Sequence, residues 1–250
     1  MKTIKEIEKK TKSYQVLFDD EWVSIEPEIF LKFRLKLLQT FDTKSFQSLI
    51  IENDYVHYDK LGIIHLKKMQ TTKELSDYLR SKGAKEGIIK QLVTKYTERK
   101  YLDDFTYAKF FVQLKQASLS PQMIHNQLRE KGISHEMIEG FTKRIDEQGI
   151  LSEQIPKKLK TIKNKSKRQV IQTIKGYYLR KGYSSEVVEA QIKKSLSLYD
   201  VNEIELIKKE YAKLIKKNMR KDDPDIEHKI IQKIYAKGFK IEDIKKAIQS

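Results

Sequence analysis

The chain has no cysteine, which excludes a disulfide framework and a thiolate zinc site together. No run approaches 18 uninterrupted apolar residues, so no membrane-spanning helix is expected. The opening Met1-Lys2-Thr3-Ile4-Lys5-Glu6 lacks the apolar stretch of a signal peptide, and a soluble, cytoplasmic protein is expected. The motifs of nucleotide and hydrolase chemistry are missing as well. There is no Gly-x-x-x-x-Gly-Lys-Ser/Thr phosphate loop, no Gly-x-Gly-x-x-Gly turn and no Gly-x-Ser-x-Gly elbow. The histidines, His57, His65, His125, His135 and His228, form no i, i+4 pair, so neither a metal nor another cofactor is expected. Asp103-Asp104 looks like a carboxylate pair, but adjacent side chains do not readily converge on one substrate atom. No catalytic residue emerges, and the chain reads as a non-enzyme.

What is abundant is positive charge. Fifty-one Lys and Arg stand against 35 Asp and Glu, a formal charge of +16, and a field of that sign attracts polyanions. Apolar residues make up 39% of the chain, with 13 Tyr and 10 Phe, which suffices for a core over 250 residues.

Four Lys-Gly pairs recur along the chain: Lys82-Gly83, Lys131-Gly132, Lys181-Gly182 and Lys237-Gly238. Four residues before each glycine stand Leu79, Leu128, Tyr178 and Ile234, and eight before stand Leu75, Ile124, Ile174 and Ile230. Six residues after each come Ile89, Ile138, Val188 and Ile244. Steps of four define one apolar helix face, and the glycine suits the left-handed position that ends a helix. A third register follows at Leu102, Leu151 and Val201, each succeeded by a capping residue, Asp103, Ser152 or Asn202, and then an acid, Asp104, Glu153 or Glu203. Each unit therefore reads as three helices in about 50 residues. Thr71 with Glu74 has capping-box spacing, and Ser120-Pro121 and Asp223-Pro224 place proline at the first helical position. Pro156 falls inside the third helix of the second unit and suggests that this helix starts late.

The first 70 residues differ. Tyr14 to Phe18 and Trp22 to Ile25 suggest a β-hairpin, with a third strand at Thr3 to Glu8, and Pro27 to Leu38 looks helical. Asn53-Asp54 repeats the cap-plus-acid signal and predicts a helix to about Lys68. The expected division is 1–50, hairpin plus helix; 51–70, linking helix; then repeats at 71–119, 120–165 and 166–222, and a partial repeat at 223–250. The fold class is mainly α: tandem three-helix repeats in an elongated curved array, with a small N-terminal β-hairpin region. Such an array has little interior per unit and a large surface, which suits an extended partner.

Between Glu153 and Glu186 no acidic residue occurs. That window holds Lys157, Lys158, Lys160, Lys163, Lys165, Lys167, Arg168, Lys175, Arg180 and Lys181, the candidate contact to a nucleic acid or nucleoprotein. A solvated lysine-rich face is the alternative. Tyr177, Tyr178 and Tyr183 lie among these cations and are expected in the core.

Thr71-Thr72-Lys73-Glu74-Leu75, Tyr78-Leu79 and Lys82-Gly83 resemble the first repeat of RecX proteins. Tyr101-Leu102-Asp103-Asp104 with Tyr107-Ala108, and Leu128-Arg129-Glu130-Lys131-Gly132-Ile133, continue the likeness, which covers roughly residues 50 to 250 and is strongest to the low-GC Gram-positive type. The resemblance implies a monomeric regulator of the RecA recombinase, without membrane attachment, in homologous recombination and DNA repair. It would engage the RecA filament on single-stranded DNA, touching the DNA directly or through RecA, and limit ATP turnover and strand exchange. One departure stands out: Lys68-Met69-Gln70 replaces the Arg-x-Arg that often precedes this helix, so a basic contact expected at Gln70 is missing. A protein-interaction scaffold, or a general nucleic-acid-binding protein without RecA, is the alternative to this reading.

Overall fold

All twelve apolar positions flanking the four Lys-Gly pairs are buried, none more than 3% exposed. The glycines between them adopt φ values of 84 to 93°, the left-handed region that a side chain disfavours. The computed structural model describes residues 1–218 and 225–249, except for the side chain of Asn218. The chain divides into two compact units, residues 1–110 with 128–137, and residues 111–127 with 138–250.

The first unit opens with strands β1 (Lys2–Lys9), β2 (Tyr14–Phe18) and β3 (Glu21–Ile25), paired antiparallel. A two-residue strand β4 (Thr40–Phe41) pairs with β1, giving a four-stranded sheet in the order β3-β2-β1-β4 rather than a hairpin. Its inner face, with Ile4, Val16, Phe18 and Ile25, packs against Ile29 of helix α1 (Pro27–Lys32) and Leu49 of helix α2 (Thr43–His65). Helix α1 stops well before the expected Leu38. Arg34 and Leu38 adopt φ of 49° and 61°, and the chain turns there to form β4.

Helix α2 begins eleven residues before the expected start at Asp54, capped by Asp42, which accepts from the Ser45 amide at 2.8 Å. It therefore runs through the boundary expected at residues 50 and 51. Asn53 is a buried residue in its middle. The Asn53 Nδ2 donates to Ser24 O at 2.9 Å, and its Oδ1 accepts from Glu26 N at 2.8 Å. A polar residue that reads as a cap is here a clamp on the end of β3, where a buried amide needs both partners.

Helices α3 (Thr72–Ser81) and α4 (Glu86–Glu98) bury Leu75, Leu79, Leu92 and Tyr96 together with Leu102. The residue ranges of helices α5 (Asp104–Lys115), α6 (Pro121–Glu130) and α7 (His135–Thr142) are each divided between the two units, so compact packing does not follow the repeat division. We keep repeat boundaries at 71–119, 120–165, 166–222 and 223–250 as a proposal.

The second unit continues with α8 (Glu147–Thr161), α9 (Lys167–Arg180), α10 (Ser185–Ser195), α11 (Glu203–Asn218), α12 (Ile226–Ala236) and α13 (Ile241–Gln249). One core gathers Leu151, Ile155 and Leu159 of α8 with Ile174, Tyr178 and Val188; another gathers Ile207, Ile230, Ile234 and Ile244. The expected Asp223-Pro224 start lies outside the described residues.

Helix α8 starts early, not late. Asp146 caps it through the Gly149 amide at 2.9 Å, and Pro156 sits inside. Leu151, Ile155 and Leu159 form an i, i+4, i+8 face that is buried only if the helix continues past the proline, so packing overrides the lost backbone bond.

The same difference explains the acids. Asp103 and Asn202 cap their own helices, accepting from Thr106 N at 2.9 Å and Glu205 N at 3.2 Å. The following acids cap a different helix: Asp104 accepts from Thr72 N at 2.8 Å, and Glu203 accepts from Lys167 N at 2.7 Å. In the second repeat that donor position is Pro121, which has no N–H, and Glu153 pairs instead with Lys157 at 3.6 Å.

The Lys-Gly turns also lock to the start of the preceding repeat. Thr71 Oγ1 donates to Lys131 O and Ser166 Oγ donates to Lys237 O, both at 2.7 Å, while Ser120 N donates to Lys181 O at 3.0 Å. A Cβ on Gly132 would lie 2.5 Å from Lys73 Cβ, and one on Gly182 would lie 2.6 Å from Ser120 Oγ. Close approach and backbone conformation both demand glycine at these turns.

Candidate nucleic-acid interface

The ten cations of the acid-free window lie in the second unit, but they do not form one surface. Lys157, Lys158 and Lys160 are on α8, Lys163 and Lys165 in the loop that follows, and the rest on α9 or its C-cap. Carboxylates bordering the window or beyond it reach two of them. Lys175 pairs with Glu189 of α10, and Lys157 pairs with Glu153. The window is therefore partly neutralised by the fold, contrary to the sequence expectation. Lys160 and Arg180 stand exposed.

Three groupings remain. Lys158 and Lys181 converge on the Tyr177 ring, with Nζ atoms 4.0 and 4.6 Å from its centroid. The Lys181 ammonium, through a hydrogen bond and its charge, and then Lys158 hold the Tyr177 phenol below its ordinary pKa. Tyr178 and Tyr183 behave as core residues, and burial pushes the Tyr178 phenol up to about 12. Tyr177 alone of the three is only half-buried.

Lys163 and Lys165 line a cleft of about 520 Å³ between the 162–166 loop, α11 and the α12–α13 turn. Tyr199 fixes the loop: its hydroxyl donates to Lys165 O at 2.8 Å and accepts from Lys165 N at 3.2 Å. Asn164, at φ 57°, provides the turn between the two lysines. Lys209, Lys213 and Lys237 complete the wall. Against these five ammonium groups the cleft presents one carboxylate, Glu210, which Lys237 holds at 2.5 Å. Lys209 is also paired, with Glu205 one turn away at 2.6 Å, an exposed pair that costs little to exchange. Lys167 and Arg168 line a neighbouring hollow of about 690 Å³, which shares Phe239 with the cleft.

Lys209, Lys213 and Lys237 were missed because the window was drawn along the chain. The i, i+4 spacing of Lys209 and Lys213 marks them as one helix face, and Lys237 belongs to a Lys-Gly pair. Among the described residues no group of His, Asp and Glu is arranged to hold a metal ion, and no helix is long and apolar enough to cross a membrane.

The fold is that of a mainly helical protein with internal repeats, and its second unit carries a cleft lined by five lysines. No family profile matches the chain. It is 29% identical over 227 residues to the regulatory protein RecX of Geobacillus sp. (strain WCH70), covering 88% of this chain and 84% of that one. It is 25% identical over 247 residues to the regulatory protein RecX of Listeria monocytogenes, covering 95% and 91%. A crystal structure of a regulatory protein RecX superposes with a TM-score of 0.54 at 20% identity, over 76% of this chain and 99% of that one. RecX from Lactobacillus salivarius superposes at 0.50 and 23% identity, over 59% and 99%. The chain is thus similar to RecX regulatory proteins over most of its length, and it shares their fold.

Proposed function

We propose that the protein is a non-enzymatic, cytoplasmic regulator of RecA that binds the RecA–single-stranded DNA filament and inhibits its ATPase and strand exchange. Similarity to RecX regulatory proteins supports the partner, and the lysine-walled cleft of the second unit is the observation that supports the mode. Lys163, Lys165, Lys209, Lys213 and Lys237 lie along one wall system as phosphate partners for a strand, with Lys167 and Arg168 beside them. Lys158, Tyr177 and Lys181 offer a ring edge and two ammonium groups to an exposed nucleotide. Lys157, Lys160, Lys175 and Arg180 contribute field more than contact. Regulation then follows from unequal affinity for filament states, without covalent chemistry.

The experiment is RecA's single-stranded-DNA-dependent ATP hydrolysis with the protein at substoichiometric amounts. The rate falls with the wild-type protein, and replacing Lys163, Lys165, Lys209 and Lys213 by Glu relieves the fall. An unchanged rate with wild-type protein refutes the reading.

A further inference from the structure

We propose that a groove in the first unit, where α2 and α4 end, is a docking site for an acidic protein segment that carries a large apolar side chain. The groove measures about 510 Å³. Ile63, Leu66, Tyr96 and Tyr101 give it an apolar bottom, and Lys67, Lys95, Arg99 and Lys100 rim it, with no carboxylate among the lining residues. Ile63 is 51% exposed and Tyr101 is 61% exposed, large apolar area left in water beside one another.

The rim carries charge beyond what the fold consumes. Asp59 holds Lys95 Nζ at 2.7 Å from each carboxylate oxygen and accepts from the Tyr96 hydroxyl at 2.7 Å, so Lys95 is neutralised. Lys67, Arg99 and Lys100 remain. Part of their charge answers the carbonyl ends of α2 and α4, each equivalent to about half a negative charge. Three cations exceed two half-charges, and a positive rim is left over. Lys100 also adopts φ 59° at the α4–α5 turn, a conformation that glycine or asparagine holds more cheaply, and it places a lysine there.

Charge complementarity calls for an anionic occupant, and the groove bottom decides which kind. A nucleobase would find a ring to stack on only at Tyr101, since Tyr96 is fully buried, and the rest of the bottom, Ile63 and Leu66, is aliphatic. A leucine or phenylalanine side chain would bury only apolar surface there, while flanking carboxylates meet Lys67, Arg99 and Lys100. The occupant is therefore an acidic, amphipathic segment of a partner protein. This inference does not depend on the nucleic-acid reading of the second unit.

The test is fluorescence anisotropy on the full-length protein with two labelled probes. One is a short synthetic peptide of Asp and Glu around a single Phe; the other is an oligothymidylate. Arg99→Glu with Lys100→Glu should weaken peptide binding by about tenfold or more, as should Ser in place of the peptide's Phe. Lys163→Glu with Lys165→Glu should leave peptide binding unchanged and weaken oligothymidylate binding instead. Should the double rim variant fail to fold, Ile63→Ser with Tyr101→Ala, both at exposed positions, should give the same loss of peptide binding. The proposal is overturned if the peptide does not bind, if it binds both groove variants as it binds the wild type, or if the rim variant loses oligothymidylate rather than peptide.

Discussion

The two cation-rimmed hollows of this protein differ in what lies beneath the charge. In the second unit, five lysines face a cleft whose loop is fixed by Tyr199 and whose lining includes Asn164 and Gln169. In the first, four cations rim a bottom of Ile63, Leu66, Tyr96 and Tyr101. As proposed above, the first kind takes phosphates spaced along a strand and the second takes a side chain flanked by carboxylates. A formal charge of +16 therefore does not name one partner, because the surface under each cluster selects among anions. The inter-repeat locks differ in a parallel way. Thr71 sits in a full capping box with Glu74, and Glu74 also pairs with Lys131 at 2.5 Å, whereas Ser120 and Ser166 have Met123 and Gln169 at the same position.

The largest expected effect breaks the comparison at the cleft. Replacing Lys163, Lys165, Lys209 and Lys213 by Glu should reduce affinity for single-stranded DNA by about two orders of magnitude at low salt and flatten its salt dependence. Titrations at two salt concentrations measure both. Next is Gly182→Ala in the second unit, which meets left-handed backbone and the Ser120 hydroxyl at once and should cost about 2–4 kcal/mol in urea unfolding. Gly140→Ala on α7 has open space and ordinary backbone, so it should stabilise by about 0.5–1 kcal/mol in the same assay. Thr71→Ala removes both a cap and a lock of the first unit and should cost about 1–2 kcal/mol.

The smallest effect separates the locks by pH. Burial works against the Glu74 carboxylate, but Lys131 and the Thr71 amide outweigh it and hold its pKa below the ordinary value. Its stabilisation is thus present above the unfolded carboxylate pKa, about 4.3, and is lost as pH falls through the lower folded value. Glu74→Gln should flatten stability against pH in that acidic window. Ser120→Ala should lower stability without changing that slope, since its cap bonds the Met123 amide and its backbone bonds Lys181 O, both uncharged groups.

The helical repeats were legible because burial at steps of four and a left-handed glycine are local requirements written into neighbouring residues. Asn53 and the early start of α8 were not, since each is decided by residues far along the chain. Asn53 answers the end of β3, and α8 extends because Leu151, Ile155 and Leu159 must share one face. Asp104 and Glu203 carried the right signal at the wrong address: acids after a cap were readable, but the amides they serve belong to α3 and α9. The candidate site was half legible. Composition located Lys163 and Lys165, while Lys209, Lys213 and Lys237 arrive through folding, as does Glu189, which takes Lys175 out of play.

The most direct test of the account compares RecA's DNA-dependent ATPase under equal substoichiometric amounts of the wild-type protein and the variant with Glu at 163, 165, 209 and 213. Strong inhibition by the wild type and its loss in a variant of unchanged helical content is the predicted result. Equal inhibition by both proteins would contradict the claim that the lysine-walled cleft carries the regulatory contact.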